Sequence, residues 1–213
     1  VPDPIPDPIP DPDSAPVTWY IPSPDATWQW QISGNVNTGY AVDVYDIDLF
    51  DTPQSVIDEI QAAGKYVICY FSAGSYENWR PDEADFLPAD TGNALSGWAG
   101  EKWLDVRSSN VRLIMAERLS LAQAKRCDGV EPDNVDGYTN NIGINLTAAD
   151  QLSYNRYLAR EAHARGLSVA LKNDVDQVAA LVDDFDFTIN EECHQYNECD
   201  TLQPFIDAGK AVF

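Results

Sequence analysis

Basic side chains are scarce in this chain. Against 35 Asp and Glu stand 13 Lys and Arg, the first of them Lys65, and the formal net charge is −22. Such a field repels a phosphate backbone, so no nucleic-acid partner is expected; it favours cationic partners or serves solubility. Histidine is limited to His163 and His194, and Cys69, Cys127, Cys193 and Cys199 contain no C-x-x-C pair. A structural zinc site needs a richer set, so no metal is expected. No apolar run reaches the roughly 18 residues of a membrane-spanning helix, and no cleavable leader is legible at the start. Membrane attachment is expected only through an anchor beyond the N-terminal segment. Phosphate-binding glycine patterns are missing too. "FSAGSYENW" has neither the lysine nor the glycine spacing of such a loop, and no cofactor is called for.

What is present suffices for one sizeable core: 213 residues, 44% of them hydrophobic, with six Trp and ten Tyr. Residues 1–16, "VPDPIPDPIPDPDSAP", repeat a Pro-Asp-Pro-Ile unit that cannot donate regular backbone hydrogen bonds and has little apolar mass. They read as a disordered, polyproline-like tether, and 17–213 as a single globular domain. Within that domain, eight short β-branched or aromatic runs read as strands: "TWQWQI", "AVDVYDID", "KYVICYFS", "KWLDVR", "CDGVEPD", "LSVALKN", "FDFTIN" and "AVF". Amphipathic helical segments separate several of them: "PQSVIDEIQAA", "NVRLIMAERLSLAQAKR", "TAADQLSYNRYLAREAHAR" and "DVDQVAALVDD". Thr147 and Asp150 have the spacing of a capping box, and Gly64, Gly166 and Gly209 stand where helices should turn back into strands. The pattern predicts an α/β fold, a (β/α)8 barrel of the TIM type, ending inside its last strand at Phe213 without a covering helix. "CHQYNEC" is short enough for a Cys193–Cys199 disulfide, which would fit an oxidising compartment; a Cys69–Cys127 bond is left open.

In such a barrel, chemistry gathers where the strands end. Asp46 and Asp48 end "AVDVYDID", Glu131 and Asp133 end "CDGVEPDN", Lys172, Asn173 and Asp174 end "VALKND", and Asn190, Glu191 and Glu192 end "FTINEE". Alternation puts Gly129, Glu131 and Asp133 on one inner face, while Asp128 reads as securing the start of its strand. Paired carboxylates, with no nucleophilic Ser, Cys–His pair or phosphate loop, point to glycoside hydrolysis. One carboxyl protonates the leaving oxygen while the other attacks the anomeric carbon or activates water. Trp28, Trp30, Trp79, Trp98 and Trp103, with tyrosines near strand ends such as Tyr45 and Tyr70, are candidates to stack on sugar rings. Two rival readings are a non-catalytic module binding a cationic glycan and a calcium site built from the clustered acids. "NLT" at Asn145 is an acceptor only in a source that glycosylates secreted proteins.

Taken together and in order, "VICYFSAGSYENWR", "GEKWLDVRS", "CDGVEPDNVDGY", "LSVALKND", "NEECHQYNEC" and "PFIDAGKAVF" resemble glycoside hydrolase family 114, the endo-α-1,4-polygalactosaminidases, from about Trp28 to Phe213. The resemblance implies a barrel, secretion or surface display, and cleavage of an α-1,4-linked galactosamine polymer, a cationic amino-sugar polysaccharide. The family's strand-end Asp falls on Asp133 and its motif Glu on Glu191, as nucleophile or base and general acid in an order the sequence does not fix. Relatives often carry Gln where Glu192 stands here, and strict alternation after Phe187 and Ile189 would turn Asn190 and Glu192 inward instead of Glu191. Asp43, Glu131 and Asp136 are expected partners for substrate amines. Asn190 is expected beside them, and Lys172 either touches substrate there or neutralises the neighbouring carboxylates.

Overall fold

The computed structural model describes residues 18–213, so the expected tether lies outside them. Six parallel strands, β1 (Trp28–Gln31), β2 (Val44–Asp48), β3 (Tyr66–Ser72), β7 (Gly129–Asp133), β8 (Ser168–Lys172) and β9 (Phe187–Ile189), form one sheet in the order β1-β2-β3-β7-β8-β9. Val212, in the last expected run, continues it by a parallel bridge to Thr188. Side-chain alternation assigns the two faces. Val44, Ile68, Ala170, Phe187, Ile189 and Ala211 pack inside the curved sheet. Their strand neighbours Tyr45, Ile47, Val67, Val130, Val169 and Leu171 join the outer core. Trp28, from the first strand, stacks on Phe213 with ring centroids 5.0 Å apart, so the sheet curls until its two ends touch.

The outer face is covered by α1 (Gln54–Ala62), α2 (Ser109–Ala124) and α3 (Ala148–His163), which contribute Ile57, Ile60, Met115, Leu119 and Leu158 to the core. The expected capping box starts α3: Thr147 Oγ1 accepts from Asp150 N at 3.2 Å, and Asp150 Oδ2 accepts from Thr147 N at 2.9 Å. Gly64, Gly166 and Gly209 have φ of 76°, 72° and 69°, the left-handed geometry that returns each chain segment to the sheet. The segment expected as a fourth helix condenses to the short α4 (Val178–Leu181) after a 3-10 turn, and α5 (Cys193–Tyr196) and α6 (Gln203–Asp207) are equally short.

One expected strand sits elsewhere. "KWLDVR" supplies β6 (Glu101–Leu104), which pairs antiparallel with β4 (Ser75–Glu77) and β5 (Thr91–Ala94) in a separate three-stranded sheet. A parallel strand needs a crossover of a dozen or more residues, usually helical. Between β3 and β6 the only helical elements are two 3-10 turns, at Glu83–Asp85 and Pro88–Asp90, so no covering helix precedes β6 and it pairs antiparallel with β4 and β5 instead.

Both cysteine pairs are disulfides. Cys193–Cys199 closes a separation of 6 residues, as expected, and Cys69–Cys127 ties β3 to the approach of β7 across 58 residues. Chain-entropy reasoning gives about 2 and about 4 kcal/mol of stabilisation respectively, growing with loop length.

Candidate active site

The inward residues at the C-terminal ends of the strands converge on one ammonium. Lys172, the last residue of β8, is 1% exposed. Its Nζ lies 2.9 Å from Glu131 Oε1, 3.2 Å from Asp133 Oδ1 and 3.5 Å from Glu191 Oε2. β7 supplies the first two acids because Glu131 and Asp133 are two residues apart and share its inner face. Glu191 follows the end of β9, and its backbone N donates to Asn173 Oδ1 at 2.9 Å, which fixes the turn. The other oxygen of Asp133 accepts from the Tyr70 hydroxyl at 3.1 Å and from Asn134 Nδ2 at 3.4 Å. Trp30 Nε1 donates to Glu131 Oε2 at 3.0 Å, and the Lys172 ammonium also lies 5.2 Å from the Trp30 ring centre.

Above this cluster opens a cleft of about 490 Å³, walled by Trp30, Tyr70, Trp98, Trp103 and Tyr196, with Asp133, Asp136, Glu101 and Glu191 offering carboxyl groups. A second groove continues from it past Asp136 and Glu191 to Asp174 and Glu192. Five aromatic side chains and four acids suit a ring-shaped, cationic, hydroxyl-rich ligand. Burial disfavours the Lys172 ammonium, but Asp133, Glu131 and Glu191 outweigh it and hold its pKa well above the ordinary lysine range. Burial, reinforced by Asp133, likewise pushes the Tyr70 hydroxyl far up, so it remains a donor.

Asp136 is raised to about 6, first by burial and then by the charge of Asp133; Asp174 is raised to about 8, again chiefly by burial. Both bind protons in the folded state at pH values where the unfolded chain has released them. Stability must therefore fall as pH rises from about 4 through 6 to 8. We expect the melting temperature at pH 5 to exceed that at pH 8 by roughly 5 °C or more in calorimetry, and Asp174→Asn to flatten the upper part of that slope.

Several expected site residues are not in the cleft. Asp43 precedes β2, at the opposite end of the sheet, where Thr27 N and Oγ1 donate to it at 2.8 and 2.7 Å and lower its pKa. Tyr45 alternates with the inward Val44 and Asp46, so it faces the helices; its hydroxyl donates to Tyr40 O at 3.1 Å inside the outer core. Asn190 donates from Nδ2 to Glu198 Oε1 at 3.3 Å and from its backbone to Phe213 O at 3.0 Å, and stays behind the cleft wall. Glu131 is fully buried, beneath the cleft instead of on its surface.

Glu191, by contrast, reaches the Lys172 cluster, while Glu192 has φ 61° and lines only the second groove. β9 ends at Ile189, so alternation no longer governs the two residues. Asp128 does secure its strand, accepting from Val67 N at 2.8 Å. Asp48 is bound by Arg80 at 2.7 Å, away from the cleft. Of the five tryptophans, Trp28 packs inside the sheet and Trp79 lies outside the cleft.

Two cleft residues escaped the sequence. Glu101 is held by the Ser75 hydroxyl at 2.6 Å, and Ser75 is bonded to Ser72 at 2.6 Å, which accepts from Asn134 at 2.9 Å. Tyr196, 63% exposed, is carried by the Cys193–Cys199 loop. Neither carries a signal in sequence, because Glu101 depends on the antiparallel insert and Tyr196 on the closed loop.

The model of Glycoside-hydrolase family GH114 matches residues 10–213. Ega3 of Aspergillus fumigatus, solved in complex with galactosamine, is 48% identical; the match covers 92% of this chain and 78% of that one, with a TM-score of 0.90. The glycoside hydrolase domain of PelA from Pseudomonas aeruginosa shares the fold at 12% identity, over 87% of this chain and 81% of that one, with a TM-score of 0.65. A comparison with curated proteins finds no match. The family match spans the whole curved sheet and both carboxylates facing the cleft around Lys172, and the chain accordingly belongs to glycoside hydrolase family GH114.

Proposed function

We propose that this hydrolase cuts within α-1,4-linked galactosamine polymers, with Asp133 as nucleophile and Glu191 as general acid and base. The observation that carries the reading is the convergence of Asp133 and Glu191 on the Lys172 ammonium, at 3.2 and 3.5 Å, at the floor of an acidic, aromatic-walled cleft. Bound to one nitrogen at those distances, the two oxygens are at most ~6.7 Å apart, a bound that admits the roughly 5–5.5 Å of retaining enzymes. The identity to Ega3, solved with galactosamine, supports the choice of sugar.

Three donors, from Lys172, Tyr70 and Asn134, bind the Asp133 carboxyl and orient it. Asp133 attacks the anomeric carbon as the glycosidic C–O bond breaks, and the leaving oxygen takes the proton of Glu191, which stands at the open mouth. Glu191 then removes a proton from water, the resulting hydroxide displaces Asp133 from the sugar, and Glu191 is again protonated. Substrate amines are charged near neutral pH, and Asp136 and Glu101 in the cleft wall are the acids placed to hold them. Two disulfides fit work in an oxidising compartment, secreted or at the cell surface. No helix among the described residues is long and apolar enough to cross a membrane.

Incubation with defined α-1,4-galactosamine oligomers should give shorter internal fragments by mass spectrometry, released first as the α anomer in proton NMR. Absence of cleavage would overturn the substrate assignment. A first-formed β anomer would overturn the double displacement.

A further inference from the structure

Asp46 lies deeper in the barrel than the groups so far assigned. It projects inward from β2, between Trp30 and Ile68 of the flanking strands in register, neither of which carries a charge. The side chain is 1% exposed, and neither of its oxygens receives a hydrogen bond from any N–H or hydroxyl among the described residues. The group it meets is another acid, Glu131, itself fully buried. Two bare carboxylates cannot bond to each other; the contact is attractive only with a proton between them. Farther off, Asp133 of β7 opposes ionisation of Asp46 and Lys172 of β8 favours it. Charge balance points the same way. Lys172 is ion-paired to Glu131, Asp133 and the half-exposed Glu191, so an ionised Asp46 beside an ionised Glu131 would add a buried negative charge with no cation of its own.

We propose that Asp46 is a positioning residue: it shares one proton with Glu131, so that a single negative charge stands beneath Lys172 and the ammonium remains extended toward Asp133 and Glu191. Its function rests on the hydrolase reading above, but the shared proton does not. With the proton in place, Glu131 accepts from Trp30 at one oxygen and is ion-paired to Lys172 at the other, whose hydrogen-bonding capacity is otherwise unused, and Asp46 supplies a further donor. Without it, the second charge draws Lys172 down, and Asp133 loses its one charged donor, keeping only Tyr70 and Asn134. Burial and the neighbouring Glu131 raise Asp46 well above the ordinary Asp range, and burial raises Glu131 also, as a proton retained at neutral pH requires.

The test uses the full chain. Infrared spectra of the resting protein at pH 7 should show carbonyl stretches of protonated, buried carboxylic acids, Asp174 among them, and Asp46→Asn should remove one component that Asp174→Asn leaves in place. Asp46→Leu, which takes away the donor to Glu131, should lower kcat by roughly 30-fold or more while KM moves by less than about threefold. Asp46→Asn, whose amide still donates, should recover most of that loss and abolish the alkaline decline in kcat that release of the shared proton causes in the parent. The proposal fails if Asp46→Asn and the parent show the same acid carbonyl components at pH 7, or if Asn is as damaging as Leu in a folded protein. An acid band that vanishes in Asp46→Asn, in a protein that cleaves no galactosamine oligomer, would leave the shared proton standing and overturn the substrate reading alone.

Discussion

Asp133→Asn should lower kcat on galactosamine oligomers by at least roughly 10⁴-fold, a loss of about 5.5 kcal/mol of transition-state stabilisation. The amide is nearly isosteric, but its single oxygen can accept from Lys172 or from Tyr70 and Asn134 and not from both sides; it has no charge with which to attack the anomeric carbon and cannot carry the covalent intermediate. Binding should change much less. Asp136, Glu101 and the aromatic walls remain in the cleft, so oligomer affinity by calorimetric titration should stay within about tenfold. The fold should hold as well, because Lys172 keeps its closest partner, Glu131 at 2.9 Å. Retention of more than about a tenth of the parent kcat would remove Asp133 from the nucleophile's role and return it to a structural one.

The parallel core was legible because its signals are local. The β-branched runs of β2, β3, β7 and β8, the Thr147–Asp150 cap and the glycine returns each lie within a few residues of sequence, and the structure reproduces them. Glu131 and Asp133 were assigned the same inner face by alternation alone, and both bond to Lys172. Long-range or end-of-element geometry was harder to read. Trp103 looked like part of a barrel strand, yet the strand belongs to the insert, because direction depends on the connection and not on the strand's own residues. Tyr45 stands mid-strand, next to the inward Asp46, and so faces the helices, and Asp43 lies before the start of the same strand and not at its end. Burial also changed the meaning of Glu131. Its residue type suggested contact with substrate, whereas its position beneath the cleft makes it a support for Lys172.

Lys172→Met tests how much of the protein depends on that support. Methionine fills a similar volume without charge, so the substitution leaves Glu131 and Asp133 facing each other with the cation removed; among the described residues, neither acid is ion-paired to any other. Breaking a buried pair from one side costs about 3–5 kcal/mol, so the melting temperature at pH 7 should drop by on the order of 10 °C. The sign of its pH dependence follows from the acids. Without Lys172 the folded-state pKa of Glu131, already raised by burial, rises further, so the deficit relative to the parent is small near pH 4, where the unfolded chain also holds the proton. It grows as pH increases toward the new folded value. Adding Glu131→Gln should recover part of the stability, because the stranded charge is gone, but none of the turnover, because Asp133 still lacks its ammonium partner. Additive losses of stability in the double variant would show that Lys172 and Glu131 act independently and that the charge cluster is not the unit holding the site together.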